Sequence, residues 1–166
     1  MDKKILGDFK DESTRILKEL GSLVETMEEG QTSQASLKAL SEFSQRVDRI
    51  MGAAKMLSVG DPSHLGLKRI GQISELCKTL GYQAAGTGAT PLLPIFAAFW
   101  ADAVDVLKDF VDALEDDAKT QEVSKDVMQM IERRMEWLAT RLNSGTTKGA
   151  HAFDVKTMLK NLGIGG

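Results

Sequence analysis

Apolar residues recur along this chain at spacings of three and four, the period of a helix with one buried face. The strict alternation of a half-buried strand is essentially absent. Five stretches carry the helical pattern. The first starts near Asp8, puts Phe9, Ile16, Leu17, Leu20, Leu23, Val24 and Met27 on one stripe, and stops at Gly30, where a left-handed residue closes a helix without steric cost. The second has Ser33 as N-cap and Leu37, Leu40, Phe43, Val47, Ile50, Ala54 and Leu57 inward, and ends before the turn signature Gly60-Asp61-Pro62. The third runs from Pro62 or Ser63 to Leu80, with Leu65, Ile70, Ile73, Leu76, Cys77 and Leu80 inward.

Gly81 to Thr90 holds three glycines and no periodicity, so it reads as the longest internal loop. With no strand before it and no Lys-Ser/Thr after it, it is not a phosphate cradle. The fourth stretch follows the cap-and-first-turn pair Thr90-Pro91 and keeps Pro94 near its first turn, where a missing N–H costs little. Its stripe is Leu92, Phe96, Phe99, Ala103, Val106, Leu107, Phe110 and Leu114, ended by Glu115-Asp116-Asp117. The fifth, about Thr120 to Leu142, turns Val123, Val127, Met130, Ile131, Trp137, Leu138 and Leu142 inward.

Amphipathic helices joined by short connections pack as antiparallel neighbours, which predicts an all-α, up-and-down helical bundle over residues 1–143. Residues 144–166 read as an appendage. Ser144 to Ala150 (SGTTKGA) is a flexible linker by content, and a short amphipathic peptide follows with Val155, Met158, Leu159 and Leu162, capped by Asp154 and stopped by Gly163. So short a helix is unstable alone, so the peptide either folds back on the bundle or docks on another protein.

Composition narrows the function. The 166 residues carry 21 Lys+Arg against 24 Asp+Glu, a net charge of −3, so no global basic field invites nucleic acid. The start of the chain lacks the pattern of a signal peptide, and the longest apolar stretch, Leu92 to Ala101, is broken by Pro94, so a soluble, cytoplasmic protein is expected. A single cysteine excludes an intramolecular disulfide, and Cys77 on an apolar face reads as a core residue. His64 and His151 have no partner ligand at metal spacing. Of the eight methionines, Met27 and Met130 fit core stripes. No Ser-His-Asp arrangement, P-loop or dinucleotide fingerprint occurs, no cofactor is implied, and the expected protein is not an enzyme.

The second stretch is the most specific. Projected at about 100° per residue, it sets Ser41, Gln45, Asp48 and Gly52 opposite the core stripe, with Lys55 near the flank. Gly52 inside a helix costs about 1 kcal/mol relative to alanine; either it admits a partner's backbone or it is a tolerated neutral residue. Arg46-Val-Asp-Arg-Ile-Met-Gly-Ala-Ala-Lys-Met-Leu-Ser58 resembles the active helix of histidine-containing phosphotransfer (Hpt) domains, such as those of chemotaxis histidine kinases. The resemblance extends to Phe9–Leu20, like the family's first helix, and to Leu67–Cys77, like the helix that pairs with the active one. It implies a four-helix Hpt-like core with an additional helix. It also implies that Asp48 stands where the family carries its phosphorylatable histidine and Met51 where it carries a supporting lysine, while the glycine persists as Gly52. Transfer needs an imidazole nucleophile, and an aspartate is no substitute.

Asp154-Val-Lys-Thr-Met-Leu-Lys-Asn-Leu-Gly163 is similar to the short receiver-binding peptides of the chemotaxis phosphatase CheZ and the flagellar switch protein FliM, although Lys156 and Lys160 stand where those are often acidic or polar. Together the two resemblances imply a non-catalytic adaptor for a response-regulator receiver domain, with Ser41, Gln45, Asp48, Gly52 and Lys55 as one contact and Val155, Met158, Leu159 and Leu162 as helix-in-groove anchors of a second. Two alternatives stay open. One is a phosphatase for a phosphorylated receiver, with Gln45 positioning water near Asp48, or Gln121 near Asp117; the other is a scaffold subunit contacting its partner through Trp100, Trp137 or the fourth helix.

Overall fold

The heptad-like phase of the apolar residues becomes six helices in the computed structural model, which describes residues 2–29, 34–86, 93–144, 154–161 and 163. They are α1 (Lys3–Glu28), α2 (Gln34–Gly60), α3 (Leu65–Gly86), α4 (Leu93–Asp112), α5 (Asp117–Ser144) and α6 (Val155–Asn161). No strand occurs among the described residues, and the protein is an all-α helical bundle. No helix described is long and apolar enough to cross a membrane.

Helices α1 to α4 close a ring, α1 packing on α2 and α4, and α3 packing on α2 and α4. Cross-helix pairs give the directions. Arg49 reaches Glu12 while Arg46 reaches Glu19, and Lys55 meets Glu75 while Asp48 meets Lys78. Rising numbers on one helix meet falling numbers on the next, so both pairs run antiparallel. Helix α5 covers the α3–α4 side, and α6 lies on α5. The core is centred on Trp100, which packs against Phe43 at 4.9 Å and Phe96 at 5.8 Å between ring centroids.

Helix ends follow local chemistry. The first helix begins earlier than expected, because Asp2 caps it by accepting from the Lys4 N–H at 2.9 Å. The third begins later, at Leu65: His64 serves as cap, its Nδ1 accepting from the Leu67 N–H at 3.4 Å, after a turn in which Ser63 Oγ donates to Asp61. Asp116 caps α5 by accepting from the N–H groups of Ala118 and Lys119, both at 3.1 Å, and the buried Thr120 hydroxyl donates to the Ala113 carbonyl at 2.8 Å. The caps expected at Gly30, Ser33 and Thr90-Pro91 lie outside the described residues, as do Leu92 and His151.

Several expectations are corrected. Gly81 to Gly86 is not loop but the last part of α3. Leu37, assigned to the core, is 45% exposed, and the buried residue at that level is Ser36. Trp137, also assigned to the core, is 42% exposed and carries the Arg141 guanidinium over its ring at 5.4 Å. Leu138 is buried as expected, and Met135 takes an inward position that the pattern did not assign. Trp100 is fully buried, so it offers nothing to a partner.

Candidate functional site

Helix α2 has two faces set by its phase. Leu40, Phe43, Val47, Ile50 and Ala54 are buried, and this fixes the opposite face outward. Ser41, Gln45, Asp48, Gly52 and Lys55 are all exposed, as expected, and their spacing of four and three makes them one continuous stripe. At Gly52 the stripe is bare: nothing lies within 4 Å of where a Cβ would stand. Met51 is only partly exposed, at the side of the stripe.

The neighbouring helix shapes the stripe. Lys78 on α3 donates to Asp48 Oδ1 at 2.5 Å, and Lys55 pairs with Glu75 at 2.8 Å. The hydrogen bond to Asp48, with the opposite charge behind it, holds the Lys78 ammonium above the usual lysine range. Lys78 also lies 6.0 Å from the centre of the Tyr82 ring. Each charged group of the stripe is thereby neutralised within the molecule, which leaves a partner little net charge to match.

Between the first half of α2 and the last turns of α3 runs an open groove of about 400 Å³, floored by Leu40, Ser44 and Gly81 and edged by Gln45, Asp48, Lys78 and the exposed Leu37 and Tyr82. Gly81 makes the groove's floor possible. A Cβ there would stand 2.7 Å from Ser44 Oγ, which donates to the Leu40 carbonyl at 3.0 Å. Sequence reasoning missed Leu37, Lys78 and Tyr82 as parts of this face. The pattern Glu75, Lys78, Tyr82 is visible as a polar edge of α3, but its opposition to Asp48 needs the antiparallel register of two helices.

The remaining candidates separate from this face. Leu159 is buried in its own molecule, at 4% exposure, rather than presented outward. Val155 and Met158 lie on α6, with side chains outside the described residues, and Leu162 is outside them altogether. Gln121 and Asp117 are exposed on the first turns of α5, away from the groove residues. Cys77 is completely buried, and burial pushes its thiol up to about 12, which keeps it protonated and unreactive. Among the described residues no group of three or more His, Cys, Asp or Glu side chains is placed to hold a metal ion. No family model, curated protein or solved structure matches the chain.

Proposed function

We propose that the protein is a non-catalytic signalling adaptor of the two-component or chemotaxis type, which binds a response-regulator receiver domain without accepting its phosphoryl group. The reading rests on the likeness of α2 to the active helix of Hpt domains. The observation that carries it is the open α2 stripe, with Asp48 held by Lys78 on the same face as a bare Gly52; the resemblance puts Asp48 where the family has its nucleophile. A carboxylate so paired is neither an imidazole nor free to act as one. Exposed Leu37 and Tyr82 give the face apolar contact area, and Gly52 admits a close-packed backbone. The cytoplasm is the compartment this role requires.

A second reading is favoured by one detail: Gln45 lines the groove on the same stripe as Asp48, the pairing that a phosphatase would use to position water. The tie between Asp48 and Lys78 weighs against it.

Calorimetric titration of purified receiver domains into the full chain tests the adaptor. Binding should weaken at least about tenfold in Gly52→Arg, as for a lost hot spot. A chain ending at Asn143 should also bind less tightly. Label from a phosphorylated receiver should not appear on the chain, and label that does appear and disappears with Asp48→Ala sinks the proposal. Accelerated receiver dephosphorylation, lost in Gln45→Ala, selects the phosphatase.

A further inference from the structure

The C-terminal peptide is seated on its own bundle. Helix α6 packs on α5, Leu159 joins the common core, and Gln72 on α3 donates its Nε2 to the Gly163 carbonyl at 3.2 Å. The seat is ordered by a third residue. Arg69 donates Nε to Ser124 Oγ on α5 at 3.1 Å and Nη1 to Gln72 Oε1 at 3.0 Å. Holding the amide oxygen of Gln72 turns its amide nitrogen toward the tail.

The peptide is built to start and stop within one short helix. Asp154 accepts from the Thr157 N–H at 3.1 Å and from Thr157 Oγ1 at 2.7 Å. Gly163 sits at φ +64°, with its N–H on the Lys160 carbonyl at 3.0 Å, and a Cβ there would stand 3.0 Å from Gln72 Nε2. Both the left-handed backbone and the close approach call for glycine. Isolated helices need about 12–15 residues in water, and α6 has 7, so its helicity depends on the seat. Leu159 cannot be buried here and in a partner's groove at once.

We propose that α6 is a reversible intramolecular latch. Closed by Leu159 and the Gln72–Gly163 bond, it withholds the C-terminal peptide until a partner competes for it. Gln72 also lines, with Lys55, Val59 and Lys68, a groove between the end of α2 and the start of α3. Gln72 thus joins the two: it holds the peptide's end through Gly163 and lines the groove that Lys55, at one end of the open stripe, also lines. The identity of that partner rests on the receiver reading; the latch itself does not.

Amide hydrogen exchange on the full chain tests it. Exchange at Leu159 to Asn161 and at Gly163 should be slowed roughly 10- to 100-fold against an unstructured chain, the factor that burial of one leucine side chain supplies. In Gln72→Ala and in Leu159→Ala that protection should fall while protection of α1 to α4 stays unchanged. Exchange at the unstructured rate in the parent chain overturns the latch, because no closed state then exists. Protection as strong as that of α4, lost only on global unfolding, overturns it equally, because α6 then has no separate opening. A receiver that binds the parent chain should bind Gln72→Ala more tightly, by the factor of lost protection. Equal affinity overturns the withholding role. Failure of receivers to bind any variant removes the receiver reading and leaves the latch to the exchange data.

Discussion

Gly52 on α2 has no heavy atom beyond its own stretch of helix within 4 Å of where a Cβ would stand, whereas Gly81 on α3 leaves Ser44 Oγ only 2.7 Å from that point. Both are helix-interior glycines, and each forgoes the same backbone preference. At Gly81 the return is visible: two antiparallel helices approach closely enough to floor a groove. At Gly52 the fold receives nothing in exchange. The difference separates a residue retained by packing from one that packing leaves unexplained, as it also leaves Gly7 and Gly21 on α1; what sets Gly52 apart is its place on the open stripe of α2.

Enlarging the packed glycine should produce the largest effect. Gly81→Val forces a branched side chain against Ser44 and should cost roughly 1–3 kcal/mol, read as a lower urea midpoint. An unchanged midpoint means the seam is loose and the contrast fails. Gly81→Ala should be milder, since the Ser44 hydroxyl can rotate, and Ser44→Ala in the same chain should turn it into a net gain.

A smaller change of opposite sign is expected at the bare glycine. Gly52→Ala should stabilise the fold by about 1 kcal/mol, because alanine is the better helix former and no neighbour is displaced. A loss of stability there would place Gly52 in the same class as Gly81.

The smallest effect belongs to the ion pair between the two helices. Asp48 and Lys78 are partly exposed, so breaking the pair with Asp48→Asn should lower the thermal midpoint only slightly, and less in high salt. The pH dependence has a definite sign. Lys78 is raised in the folded state, so its contribution is fully present below the ordinary lysine range and is lost as pH rises through the raised value. Cys77, raised to about 12 from an ordinary 9.0, also withdraws stability as pH climbs above its unfolded value, since the folded thiol keeps its proton longer. Comparing Asp48→Asn with its parent from neutral to alkaline pH subtracts the Cys77 contribution. A constant difference between the two melting curves would show that the pair carries no such dependence.

The helical class and most inward stripes were legible because both depend on spacing, and spacing is local. The errors arise where residue type was weighed above phase. Counting back four from Leu40 gives Ser36, which is buried, yet the adjacent Leu37 looks the better core residue. Ser13, between Phe9 and Ile16, is buried for the same reason. Trp137 lies one residue before the inward Leu138, and its size suggests burial that its phase denies. The exposed stripe of α2 was legible as far as Ser41, Gln45, Asp48, Gly52 and Lys55, being the complement of a strong core stripe. Its α3 half was not.

What the sequence by itself determined is the number of long helices, the inward phase of α2 and hence the residues on its open side, because each follows from intervals of three and four within one segment. The tertiary structure alone decided that Gly81 belongs to a helix, that Asp48 is tied to Lys78, and that Leu159 is seated on its own bundle. Each of these depends on a side chain far away in sequence, brought close by the antiparallel register of packed helices, and no local pattern carries that register.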